Sequence, residues 1–325
     1  MRSTASFLRP LTAFCLPLLF LGCAEPAPEP EAEIERPSKS YDISELLETV
    51  SFQGASFSPD RTKVLVSSDM SGIFNLYAIP VDGGEPVALT ESTADAYYSR
   101  GYFPGDERLL YSADSGGNEL SHLYVRELDG STRDLTPGEG LRAGFYGWMP
   151  DDASFLVGTN ERDQRFMDVY EYRADTYERE MVFQNDEGYF FSDLSPDRGR
   201  ILLTKTVTNA DRDIYLHDRE TGETTLMTAD EGDVSNAPMG FDPDGESFYF
   251  TTDKDSEYKY LVRYHLKTGE RETLVQTDWD VMYGGPSRLG TYLTAAINHD
   301  ARTEIRLYEA DGMKPVELPE MPQAE

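Results

Sequence analysis

Apolar residues in this chain fall in short alternating runs rather than in long helical stripes. Phe74, Leu76 and Ala78 alternate with Asn75 and Tyr77, the two-residue period of a strand. Phe52 to Phe57 reads as a short apolar strand ahead of it, Val64-Leu65-Val66 as a second, and Pro86 to Thr90 as an outer strand ending in Leu89-Thr90. Between the first two runs stands Ser58-Pro59-Asp60, where proline fixes φ and the aspartate can bond its own backbone. Asp69 to Gly72 is a polar loop and Asp82-Gly83-Gly84 a tight hairpin turn. One helical turn is expected, at Ile43 to Leu47.

The same order returns down the chain. Phe103-Pro104-Gly105-Asp106, Met149-Pro150-Asp151-Asp152, Ser195-Pro196-Asp197 and Asp242-Pro243-Asp244-Gly245 repeat the turn, with prolines about 46 residues apart, inside the ~40–50 residue window of propeller blades. Each is followed by further strand runs: Arg108 to Ser112 and His122 to Val125; Ser154 to Gly158 and Asp168 to Tyr172; Arg200 to Thr204 and Asp213 to His217; Ser247 to Thr251 and Leu261 to His265. A sixth, weaker unit covers Tyr283 to Leu318, with Ser287-Arg288-Leu289-Gly290 in place of the Pro-Asp turn. One unit is too small to bury a face alone, so neighbours must stack. The expectation is an all-β chain, a β-propeller of six four-stranded blades.

Three segments follow. Residues 1–22 read as a signal peptide: Arg2 and Arg9 precede an apolar stretch, Leu11 to Leu21, that is too short to span a bilayer. Leu19-Phe20-Leu21-Gly22-Cys23 resembles a bacterial lipoprotein signal, with Phe20 an atypical residue in it; the resemblance implies cleavage before Cys23 and lipid attachment at its thiol. The one other cysteine, Cys15, lies in the segment to be removed, and an unpaired thiol in an exported chain asks for such a use. Residues 23–40 form a Pro/Ala/Glu-rich tether that cannot bury a core. Residues 41–325 are assigned to the propeller. The expected location is the bacterial cell envelope, at the outer membrane or periplasmic face.

Charge narrows the partners. Sixty acidic against 29 basic residues leave a net charge of −31. Such a surface repels nucleic acid phosphates and anionic lipid heads, so the membrane is reached only through the N-terminal lipid. Loops joining second to third strands (Asp69, Asn118, Glu161, Asp163, Asp211, Asp253, Asp255, Asp300) are expected to share one face with the blade-to-blade connections (Glu91 to Asp95, Asp186-Glu187, Asp230 to Asp233, Asp278, Asp280). That acidic face would attract cationic groups such as peptide amino termini.

Catalytic chemistry is sparse. No Gly-x-Ser-x-Gly elbow occurs. His122, His217 and His265 fall in third-strand positions of separate blades, and His299 reads as a loop residue; none stands near a histidine or cysteine at metal spacing. Gly83-Gly84 and Gly116-Gly117 lie in β-turns with no helix behind them to cradle a phosphate. Asn209-Ala210-Asp211-Arg212-Asp213 and Asp253-Lys254-Asp255 offer closely spaced oxygens for calcium, but Arg212 and Lys254 interrupt them. No catalytic, cofactor or metal residue is assigned.

Ser56 to Asp60, Asn75-Leu76-Tyr77, Pro80 to Pro86, Ser115 to Glu119, Leu123-Tyr124 and Asp134-Leu135-Thr136 together resemble the N-terminal propeller of the prolyl oligopeptidase family, over about residues 41–320. These serine peptidases include dipeptidyl-peptidase and acylaminoacyl-peptidase types, and TolB-like propellers share the turn motifs. The resemblance implies a ring of at least seven blades, of which these six would be an incomplete part, and a propeller that gates peptides for a following α/β-hydrolase domain. That domain bears the serine, aspartate and histidine, none of which can be placed in this sequence. Peptides, or the absent hydrolase domain, are the implied partners. The alternative is a free-standing TolB-like lipoprotein acting as a protein-binding scaffold.

Overall fold

The computed structural model describes residues 40–319. Six antiparallel sheets of four strands each, taken in chain order, stand in a ring: a six-bladed β-propeller. Blade 1 comprises Phe52–Phe57, Lys63–Ser68, Asn75–Pro80 and Val87–Ala88; blade 2 Tyr97–Tyr102, Leu109–Ala113, His122–Arg126 and Thr132–Asp134. Blade 3 comprises Ala143–Trp148, Ser154–Thr159, Asp168–Arg173 and Arg179–Phe183; blade 4 Phe190–Leu194, Arg200–Thr206, Arg212–Asp218 and Thr224–Leu226. Blade 5 comprises Ala237–Phe241, Ser247–Thr252, Tyr260–His265 and Arg271–Val275; blade 6 Val281–Pro286, Tyr292–His299, Arg302–Glu309 and Lys314–Val316. All of these lie in one compact unit, Val50–Glu325. The expected helical turn is a short helix, Ile43–Leu47, outside that unit, with an Asp42/Glu45 capping box.

The turns between first and second strands share one hydrogen-bonding device. In every blade the residue at the start of the turn donates its N–H to a carbonyl five residues on, at 2.7–2.9 Å: Ser58 to Lys63, Phe103 to Arg108, Met149 to Ser154, Ser195 to Arg200, Asp242 to Ser247 and Ser287 to Tyr292. The last pair shows that Ser287 to Gly290 fills the place of the Pro-Asp turn. Asp60 and Asp197 reinforce their turns by accepting from Ser58 and Ser195 hydroxyls at 2.6 Å. The inner strands of blades 1 to 5 also share a bulge just before the turn, the register breaking at Ser56, Gly101, Asp193 and Gly240, among others. Gly101 and Gly240 have φ of 133° and 115°, a backbone that favours glycine.

Side chains on facing sheets make the core. Leu65 and Leu76 of blade 1 pack on Tyr102, Leu109 and Tyr111 of blade 2. Phe103 and Leu123 pack on Phe155 and Tyr172 of blade 3, and Leu156 and Val169 on Leu194 and Ile201 of blade 4. Leu202 and Ile214 meet Phe248 and Phe250 of blade 5, and Tyr249 and Leu261 meet Val281 and Ala295 of blade 6. These clusters join consecutive blades from first to sixth; among the described residues none of them spans blade 6 and blade 1.

Candidate functional site

Loop and connection residues do meet at one end of the ring. Asp69 accepts from Ser51 N–H, Asp95 from Gly116 N–H, Asp253 from Ser235 N–H and Asp280 from Lys259 N–H, each tying a second-to-third-strand loop or its flank to a blade connection. Much of the acid there is already committed. Arg162 pairs with Asp168 at 2.7 Å and Asp186 at 2.9 Å, Arg165 with Asp163, Arg179 with Glu161, and Lys254 and Arg271 with Asp230. Asp163 and Asp230 are held below the usual carboxylate range, Asp163 chiefly by its hydrogen bond with Arg165 and Asp230 by Lys254 and Arg271 in spite of burial. Burial and the neighbouring Asp211 push Asp213 the other way. Among the described residues no group of three histidine, cysteine or acidic side chains is placed to hold a metal.

The opposite end holds a half-open cavity of about 250 Å³, where the proline-marked turns of blades 3, 4 and 5 meet the Ser287 to Gly290 turn of blade 6. Tyr146, Trp148, Asp193 and Phe241 come from inner strands, and Asp152, Asp242, Pro243 and Arg288 from turns. Arg288 of blade 6 donates to Pro150 O and Asp152 of blade 3, both at 2.7 Å. A contact between blades so far apart in sequence places this cavity at the hub. Asp193 reaches across the seam of blades 4 and 5, accepting from Phe241 N–H at 2.8 Å and from Leu194 N–H at 2.9 Å. Burial nevertheless pushes its carboxyl above the ordinary range, against the pull of those two amides. Tyr249 donates to Asp242 at 2.7 Å. Among the described residues neither Asp193 nor Asp242 has a cationic partner. Tyr146 stacks on Phe191 at 5.1 Å, and burial raises its phenol.

The histidines are spread round the ring. His122, His217 and His265 occupy third strands as expected. His299 does not lie in a loop: it ends the second strand of blade 6, held by Glu304 at 3.1 Å and packed on Trp279. Its register pairing with Arg302 extends the strand further than its polar flank suggested. One alignment escaped the sequence reading: Ser247 Oγ lies 3.1 Å from His265 Nδ1, and His265 Nε2 3.5 Å from Glu272. It is triad-like in order only. Ser247 is buried and Glu272 is committed to Arg263 at 2.5 Å. Cys23, the expected lipid site, lies outside the described residues.

Six four-stranded blades set in a ring define the class of protein, a β-propeller. Residues 94–324 match the family of the prolyl oligopeptidase N-terminal beta-propeller domain, and the chain belongs to that family. Dipeptidyl aminopeptidase BIII of Pseudoxanthomonas mexicana is 29% identical over 251 residues, 70% of this chain and 35% of that protein. The chain therefore spans about a third of that relative. An uncharacterized protein of Agrobacterium fabrum is 24% identical over 208 residues, 59% of this chain and 67% of its own length. Among solved structures, a prolyl endopeptidase matches with a TM-score of 0.63 at 15% identity over 84% of this chain and 43% of its own. TolB from Acinetobacter baumannii matches with a TM-score of 0.51 at 19% identity over 82% of this chain and 63% of its own. At such identities these two likenesses describe the fold alone.

Proposed function

We propose that this chain is the non-catalytic propeller portion of an exported, lipid-anchored serine peptidase of the prolyl oligopeptidase family, and that the ring admits and orients peptides for a hydrolase domain. The observation that carries this is the match to the peptidase relative, which takes in most of this chain and only a third of the relative. The leader ending at Cys23 supports export and acylation. The test is the reading frame after codon 325. A frame that continues into a Gly-x-Ser-x-Gly elbow supports the proposal; a stop codon overturns it. Labelled palmitate should enter the native chain in a bacterial host and not Cys23→Ser; equal labelling would remove the anchor.

A second reading is favoured by one observation. The Agrobacterium fabrum relative is matched over two thirds of its own length, as a free-standing propeller would be. On that reading the chain is a TolB-like envelope scaffold, and the stop codon is its expected result.

A further inference from the structure

The hub cavity carries a charge that the fold does not require. Six inner-strand residues hold the equivalent place, three before the proline position of each turn: Ser56, Gly101, Gly147, Asp193, Gly240 and Gly285. Ser56 already performs the structural task, accepting from Tyr102 N–H across the seam of blades 1 and 2 at 3.2 Å. Asp193 performs it across blades 4 and 5 with Phe241 N–H. A serine would serve there too, so the carboxylate charge is surplus to the seam. The charges facing it do not cancel it. Arg288 is bound to Asp152 and Pro150 O, and Asp242 adds a second carboxylate without a cationic partner. A partly desolvated anion beside aromatic walls is the chemistry that recognises a cationic group.

We propose that the hub cavity is a subsite for one basic side chain, arginine or lysine, of a peptide, with Asp193 as its counter-ion. This rests on the reading of the ring as peptide-admitting. The size of the cavity argues for a side chain rather than a whole ligand, since about 250 Å³ falls below the ~300–1,000 Å³ of drug-sized pockets. Its walls are mostly fixed, by prolines of the turns and by Tyr146 stacked on Phe191. The incoming cation displaces no ion pair; Arg288 keeps Asp152.

Trp148 lines the cavity, and Trp279 is the one other tryptophan, so Trp279→Phe leaves a single reporter. In that background, titration with acetyl-arginine methylamide and acetyl-lysine methylamide should give a saturable change in Trp148 fluorescence. The uncharged citrulline analogue should bind at least about tenfold more weakly. Asp193→Ser, which copies the residue at the Ser56 position, should melt no lower than the parent and lose the arginine signal at least about tenfold. Raising the salt should weaken arginine and leave citrulline unchanged. Equal binding of arginine and citrulline overturns the subsite, as does an unchanged affinity in a folded Asp193→Ser chain. The citrulline comparison needs no variant at Asp193, so misfolding of that variant cannot shield the proposal. Neutral peptides that bind while the arginine probe fails also overturn it and leave the peptide-admitting ring standing. A stop after codon 325 removes the peptidase reading without altering these measurements.

Discussion

Asp60 and Asp193 are both aspartates beside a blade turn, and their surroundings drive them in opposite directions. Asp60 accepts from the Ser58 hydroxyl and the Thr62 amide, which hold it at about 2 against an ordinary 3.8. A carboxyl lowered by folding adds stability that is complete above its unfolded value and disappears as pH falls through the folded one. The melting temperature of the native chain should therefore exceed that of Asp60→Ala above pH 3.8, and the gap should close by about pH 2. A gap that persists at the acid end would show that the turn draws nothing from the charged form. Asp193 carries the reverse sign, because burial raises it. Its ionised form costs stability, so any advantage of Asp193→Ser in melting temperature should be largest at neutral pH and fade on acidification.

At the scale of single elements, the fourth strands of blades 1, 2 and 4 are each followed, two residues on, by a threonine whose hydroxyl is used inside the sheet. Thr90, Thr136 and Thr228 accept through Oγ1 from the N–H of Leu76, Leu123 and Ile214 on the neighbouring third strand, at 2.9, 3.0 and 2.9 Å. Thr136 and Thr228 are buried. Replacing either by valine keeps shape and leaves a buried N–H without a partner, which costs about 1–3 kcal/mol. Denaturant titration of Thr136→Val and Thr228→Val should show that loss; a change under about 0.5 kcal/mol would mean the strand end is wet. The Leu89-Thr90 and Leu135-Thr136 pairs were visible in the sequence, as were the strands, because alternation and proline turns are local signals. Even the weak sixth unit was legible, since Ser287 keeps the turn bond without a proline. The hub was not. Its Arg288–Asp152 pair joins residues 136 apart, and the significance of Asp193 emerges only when six inner strands are laid side by side. His299 was misplaced for a related reason: its strand partner, Arg302, is polar too, so no apolar period marked the strand end.

For the whole molecule the question is how evenly the ring is held. Five seams contain buried clusters, and the seam of blades 6 and 1 differs from them. On the blade 1 face turned away from blade 2, Val66 and Tyr77 are buried, but Phe52 and Phe57 are 52% and 61% exposed. On the blade 6 face turned away from blade 5, Tyr283 and Tyr292 are 51% and 42% exposed. An aromatic ring left half in water contributes little burial energy, whereas a fully buried one contributes several kcal/mol. Phe57→Ser should thus cost under about 1 kcal/mol, and Phe155→Ala, at a seam with no exposure, about 3–5 kcal/mol. Hydrogen exchange should agree, with Phe52–Phe57 opening before Ser154–Thr159. Such a seam is where a ring would part first, and where further chain or a partner would add the most apolar contact. Comparable losses for Phe57→Ser and Phe155→Ala would refute this, because they would require the sixth seam to be packed as tightly as the other five.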